Sequence, residues 1–209
     1  MLYPDISLIR FFYKNELDKV SGSVIEFGCD LGQNLRLFDR HGWECTGVDF
    51  PNNSRESFGS FSNWIRNPKY IEANLEYFDP SSLDSHYDVI LFPNVLYYLS
   101  TKATSRLLNI ANNLLSANGF IFSIDRLVDD YRFGKGTLVE RNRFRMTIGE
   151  TGEMDQTITF RTIEEVTELF KTHFNVDSRN IVSLQLKYQN IQNSCLISNS
   201  DVITYFRKT

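Results

Sequence analysis

The chain has 209 residues, 42% hydrophobic and 14% aromatic, enough for one well-packed domain and marginal for two. Its net charge of -4 counts against a nucleic-acid binder, which carries a basic surplus. No apolar run nears the roughly 20 residues of a membrane helix, the N-terminus lacks a basic region followed by an apolar core, and three scattered cysteines (Cys29, Cys45, Cys195) without a C-x-x-C pair argue against a disulfide framework or a metal cluster and suit a reducing, cytoplasmic setting.

Ile6, Ile9, Phe12, Tyr13 and Leu17 recur at helical spacing, which predicts an N-terminal helix within residues 1–22. A first strand is expected at Ser23–Phe27. A helix follows from about Gly32 to Arg40, with Leu31, Leu35 and Phe38 inward, and a second strand at Glu44–Phe50. Residues 51–69 are rich in Asn, Ser and Gly and predict a loop with a short, weak helix near Trp64 and Ile65. Strands at Tyr70–Ala73 and Tyr87–Phe92, a helix at Thr101–Leu115 closed by Asn118-Gly119, and a strand at Phe120–Ile124 come next. Strands alternating with helices predict a parallel sheet with right-handed crossovers. The pattern then breaks. Residues 126–160 read as an inserted β-hairpin around Leu138–Ile148, with Met154–Phe160 alternating as well. A capping box, Thr162-Ile-Glu-Glu165, opens a helix to about Lys171. Val182–Tyr188 and Val202–Phe206 predict two closing strands joined by a polar turn over Gln189–Ser200.

The densest information lies in Val-Ile-Glu-Phe-Gly-Cys-Asp-Leu-Gly, residues 24–32, and in the Asp49 that ends the next strand. A strand, a glycine turn, a helix and a strand ending on a carboxylate form the layout of a nucleotide-binding β-α-β unit. The glycine spacing narrows the ligand. Asp30 and Gln33 stand where a dinucleotide fingerprint needs its second and third glycines, so a pyrophosphate cannot approach the turn closely.

Glu26-Phe-Gly-Cys-Asp-Leu-Gly32 resembles motif I of class I S-adenosylmethionine-dependent methyltransferases. Ala73-Asn-Leu-Glu76 matches the family's strand-three turn, with Asn74 where an Asp is usual. Tyr87–Leu99 resembles motif IV, and Leu114–Phe122 the helix–glycine–strand unit after it. The resemblance spans about residues 23–125. It implies a Rossmann-like α/β fold, one domain over 1–209, with a seven-stranded, mostly parallel sheet, a C-terminal antiparallel hairpin and the 126–160 insert as acceptor lid. It implies S-adenosylmethionine as cofactor, S-adenosylhomocysteine as product, and no metal. The implied cofactor contacts are the Gly28 turn with Cys29, Glu26 and Asp30 toward the ammonium, Gly32 opening a helix toward the carboxylate, Asp49 on the ribose hydroxyls, Phe50 and Leu75 against the adenine, Asn74 on its amine, and Asn94 after the fourth strand.

The acceptor implied is a small molecule, attacked at an oxygen of a sugar or metabolite, with no membrane and no nucleic-acid partner. Residues 92–95, Phe-Pro-Asn-Val, differ from the loop of DNA amino-methyltransferases. His41, His86 and His173 map to the edge of the sheet away from the ligand. Tyr97, Tyr98 and Asp125 are the better-placed candidates for chemistry. Arg126 with Arg141, Arg143 and Arg145, three of them sharing one face by the strand period, either hold an anionic acceptor or form a solvated, charged edge. The alternative of a different class is a protein that binds S-adenosylmethionine as a regulator or scaffold without turnover.

Overall fold

The structure, a computed structural model, describes residues 3–50, 63, 65–83 and 86–208. The loop and weak helix expected over 51–69 lie outside the described residues at 51–62 and at Trp64.

Seven strands form one sheet: β1 (Ser23–Phe27), β2 (Glu44–Asp49), β3 (Lys69–Glu72), β4 (Tyr87–Pro93) and β5 (Leu115–Arg126), then, past an insert, β9 (Val182–Gln192) and β10 (Cys195–Arg207). The order is β3-β2-β1-β4-β5-β10-β9. β1 to β5 pair parallel and β10 pairs antiparallel with both β5 and β9. This is the α/β methyltransferase-type sheet that the resemblance implied.

The near-continuous apolar strands are explained by burial on both faces. Ile25 and Phe27 of β1 and Ile90 and Phe92 of β4 face α3 (Thr101–Leu114) and α4 (Ile163–Phe174). Val24, Val89 and Leu91 face the opposite layer with α1 (Ile6–Lys14) and α2 (Leu35–Arg40). Glu26 shares that second face by the period of two.

Helix α1 forms where expected, with Phe12 and, just beyond it, Leu17 buried as expected, but the rest of its buried stripe is shifted. Leu8, Phe11 and Phe12 are buried, whereas Ile6 and Tyr13 are exposed. Both stripes have helical spacing, and only the position of the sheet selects between them. Asp5 caps α1 by accepting from the amides of Ser7 and Leu8. Helix α2 starts at Leu35, three residues later than expected, because Asp30 and Gly32 take positive φ and hold the chain in turns. Glu165 and Thr162 cap α4 reciprocally, as expected.

The insert is a three-stranded antiparallel sheet, β6 (Gly136–Glu140), β7 (Arg143–Met146) and β8 (Thr157–Thr159). The third strand is the alternating Met154–Phe160 segment. Met146, Ile158 and Phe160 pack on Tyr97, in the short 3-10 turn Leu96–Tyr98 after β4. That packing sets the insert at the carboxyl ends of the parallel strands. Strands β9 and β10 run farther than expected, through most of the polar stretch 189–200. Their turn is only Asn193-Ser194, both at positive φ. The pair suits a two-residue hairpin, and polar residues on an exposed edge strand hid the alternation.

Candidate cofactor and active site

The first βα turn carries a buried carboxyl. Glu26 is 1% exposed, its Oε1 accepts from Asn34 Nδ2 at 2.7 Å, and among the described residues its buried Oε2 has no partner. Burial first, then the nearby Asp49 and Asp30 charges, push Glu26 up to about 8 against the Asn34 hydrogen bond. Gly28 follows at φ +75, and a Cβ there would meet Val95 Cγ2 at 2.6 Å. The glycine therefore serves both the turn and the close passage of the β4 loop. Gly32, also at positive φ, accepts the Arg36 amide at 3.0 Å but does not begin the regular helix.

Asp49 ends β2 facing this turn. Its Oδ2 accepts the Asp30 amide at 2.5 Å and its Oδ1 the Phe50 amide at 2.6 Å. Each oxygen keeps a second acceptor site. Burial raises the Asp49 carboxyl above its ordinary range, against both amide bonds. Asp30 and Phe50 are exposed at the mouth. Asn74 is exposed, with its Oδ1 taken by the Glu76 amide at 2.9 Å. Asn94 ends β4 at positive φ, exposed, with its amide donating to Ile124 O at 3.1 Å. Two expected contacts turn inward. Leu75 packs with Phe27 and Phe92 under α3, and Cys29 lies in the α1–α2 layer. Burial pushes the Cys29 thiol up, so it remains a neutral packing group.

The candidates for chemistry fall in two places. Asp125 lies on the α3–α4 side of β5, fully buried, bonded to Ser123 Oγ at 2.6 Å and Arg161 Nη1 at 3.1 Å. It is not brought to the turn that holds Glu26. Tyr97, Tyr98 and Arg126 do converge with one another. The Arg126 guanidinium stacks 4.7 Å from the Tyr97 ring centre, and Tyr98 Oη donates to Glu153 Oε1 at 2.8 Å. Burial and the Glu153 charge push Tyr98 up to about 12, so its hydroxyl stays protonated and donates.

Glu153 is the hub. It also takes Arg126 Nη1 at 2.9 Å and a short bond from Arg132 Nε. Burial opposes its ionisation, but the two guanidiniums and the Tyr98 hydroxyl outweigh that and hold it below its ordinary range. Asp130 pairs with Arg132 Nη1 at 3.0 Å and takes the Ser200 amide at 3.0 Å. Asp201 of β10 lies opposite Arg126 in the register. Glu153, Asp130 and Asp201 carry no sequence motif; only strand pairing and loop closure bring them together.

Arg141, Arg143 and Arg145 do not converge. Arg141 lies in the turn before β7 and pairs with Glu165. Arg143 is buried, donating to Leu99 O at 2.5 Å. Arg145 pairs with Asp155. His41 and His173 cap helix ends through Leu37 O and Leu169 O, as their mapping implied.

The sequence profile of the methyltransferase domain family matches residues 6–178. The chain belongs to this family. It is a class I S-adenosylmethionine-dependent methyltransferase. No curated protein matches it in sequence. Similar solved structures include a methyltransferase of Methanosarcina mazei described as SAM-dependent, 14% identical with TM-score 0.67, covering 90% of this chain and 92% of that one. Another is the Burkholderia thailandensis 1,6-didemethyltoxoflavin-N1-methyltransferase, bound to 1,6-didemethyltoxoflavin and S-adenosylhomocysteine. It is 14% identical with TM-score 0.66, covering 98% and 77%. A third is the N-terminal domain of EvdMO1, crystallised in the presence of S-adenosylhomocysteine and D-fucose, 17% identical with TM-score 0.64, covering 97% and 82%. At these identities the likeness is one of fold.

The methyltransferase uses S-adenosylmethionine, and its first turn has the chemistry for that molecule. A buried carboxyl with one oxygen unpartnered among the described residues, beside two further carboxylates, fits the amino group of such a molecule. Among the described residues of the methyltransferase, no cluster of His, Cys, Asp and Glu could hold a metal ion, and no helix is long and apolar enough to cross a membrane.

Proposed function

We propose that the methyltransferase transfers a methyl group to an oxygen of a small metabolite, such as a sugar hydroxyl. The observation that carries the cofactor half is the buried, half-unpartnered Glu26 beneath the Gly28 turn and next to Asp49. In this reading Glu26 and Asp30 hold the amino group, Asp49 the ribose hydroxyls, Asn74 the adenine edge, and Phe50 covers the ring. The bound cofactor supplies a methyl group already activated by its sulfonium. The chain's own task is then to align an acceptor and exclude water. Tyr97, Tyr98, Arg126 and Glu153, with the insert packed on them as a lid, would back the acceptor site from behind.

The small-molecule reading draws support from neighbours described with a toxoflavin precursor and with D-fucose, and from the net charge of -4, which disfavours nucleic acid. The arginines considered for an anionic acceptor each have a carboxylate or carbonyl partner, so an acceptor without negative charge fits better. Three free cysteines, two of them buried, suit a reducing cytoplasm. The test is release of S-adenosylhomocysteine over a panel of hydroxylated metabolites and matched amines. Turnover with alcohols supports the reading; turnover confined to amines overturns the choice of oxygen. Failure of S-adenosylhomocysteine to raise the melting temperature overturns the cofactor site.

A further inference from the structure

A cavity of about 350 Å³ opens between the first turn of α1 and the β9–β10 hairpin, beside Asn94 at the end of β4. Ile6, Ile124, Leu186 and Ile203 give it aliphatic walls, and Tyr188 adds a ring. Asp5 and Asp201 also line it, and among the described residues no Lys, Arg or His does. Asp5 is spoken for: its Oδ1 caps α1 through the Ser7 and Leu8 amides.

Asp201 differs. It belongs to the buried cluster of Arg126, Arg132, Asp130 and Glu153, which sets three carboxylates against two guanidiniums. Asp130 and Glu153 take the close contacts. Its carboxylate keeps only Arg126 Nε, at 3.5 Å, and no other hydrogen bond reaches the Asp201 side chain among the described residues. Its side chain is nonetheless only 6% exposed. A carboxylate so desolvated and so weakly matched is the surplus negative charge of the cluster, and it sits in the wall of the cavity. Such a charge favours an opposite one and penalises a like one.

We infer that this cavity receives the methyl acceptor, and that Asp201 selects a small ring-bearing hydroxyl compound that also carries a protonated amine. The inference rests on the cofactor lying over the β1, β2 and β4 ends, which would place Asn94 between cofactor and cavity. Asp201 is here a specificity residue. The aliphatic walls take the apolar face of the acceptor, and the carboxylate takes its ammonium.

Three phenols of one size test it on the full chain saturated with S-adenosylhomocysteine: tyramine, cationic; tyrosol, neutral; and 4-hydroxyphenylacetate, anionic. Protein NMR at millimolar probe follows the amides of Asp5, Leu186 and Asp201. Tyramine should shift these signals and bind roughly tenfold more tightly than tyrosol, with the anion weaker still. Asp201→Asn should lower tyramine to the level of tyrosol. Ile6→Trp, which fills the cavity from an exposed position and leaves the charge cluster intact, should remove binding of both. Tyramine no tighter than tyrosol, shifts elsewhere or none, or an unchanged ranking in Asp201→Asn overturns the inference. Affinity for S-adenosylhomocysteine, measured in the same samples, should be unchanged in both variants. Its absence in the wild type overturns the cofactor site, independently of the ranking of probes.

Discussion

Asn34 ties Glu26 to the first turn of α1: its Nδ2 donates to Glu26 Oε1 at 2.7 Å, and its Oδ1 accepts the Asp5 amide at 2.9 Å. One buried amide thus connects the carboxyl of the βα turn with the helix that walls the acceptor cavity. Replacing Asn34 with Leu leaves both carboxyl oxygens of Glu26 and the Asp5 amide without partners. Stability should fall by about 1–3 kcal/mol per orphaned group, read by denaturant unfolding, and cofactor affinity should fall with it.

The raised Glu26 makes stability and binding depend on pH. Its folded value is about 8 against an ordinary 4.5, so between these the folded chain holds a proton that the unfolded chain has lost. Stability without ligand should therefore fall as pH rises from 4.5 to 8 and level off above. Glu26→Gln should flatten that slope. Binding an amino group beside Glu26 at pH 7 should expel its proton. Calorimetry of S-adenosylhomocysteine in buffers of different ionisation enthalpy should find up to one proton released, and none in Glu26→Gln.

Asp49→Ala should weaken S-adenosylmethionine by about 1.5–3 kcal/mol, the worth of hydrogen bonds to a charged group. It also frees the Asp30 and Phe50 amides, so the variant must first be shown to be folded by circular dichroism. Unchanged affinity in a folded variant removes Asp49 from the ribose.

Gly28→Ala meets two separate obstacles, positive φ and the Val95 side chain. It should destabilise by about 1–3 kcal/mol. Adding Val95→Ala should recover the steric part and leave the backbone strain. A double-mutant cycle read by thermal unfolding separates them, and zero coupling refutes the contact.

Glu153→Gln should loosen the insert, because Tyr98, Arg126 and Arg132 all bond to that carboxylate. Breaking a buried pair costs about 3–5 kcal/mol, and hydrogen exchange should speed up in β6–β8. The carboxyl is held below its ordinary range, so its stabilisation is present above 4.5 and lost as pH falls through the folded value. By contrast, Arg141→Gln and Arg145→Gln remove exposed pairs and should each change stability by less than about 0.5 kcal/mol. Buried Arg143→Gln should cost more.

The first βα turn was legible because its residues sit next to strands in sequence. Glu26, Gly28, Gly32 and Asp49 follow from one β-α-β unit, and the hydrophobic runs of β1, β4 and β5 announce a two-sided core. The acceptor side was not legible. Asp201 reaches Arg126 through antiparallel register, and a one-residue slip would reverse its face. Glu153 sits in a short loop whose closure no periodicity reports. Arg143 and Arg145 have equivalent spacing, yet one is buried and one exposed, because Arg143 reaches the Leu99 carbonyl whereas Arg145 pairs with the exposed Asp155.

The split of the charge cluster between insert and scaffold bears on transplantation. Asp130, Arg132 and Glu153 travel with segment 126–160, whereas Asp201 stays on the closing hairpin and Arg126 marks the junction. An insert borrowed from a relative must bring its own counter-charge for Arg126. Without it, the graft buries a guanidinium held only by its stacking on Tyr97 and a 3.5 Å contact to Asp201, and should fold less stably than the parent chain.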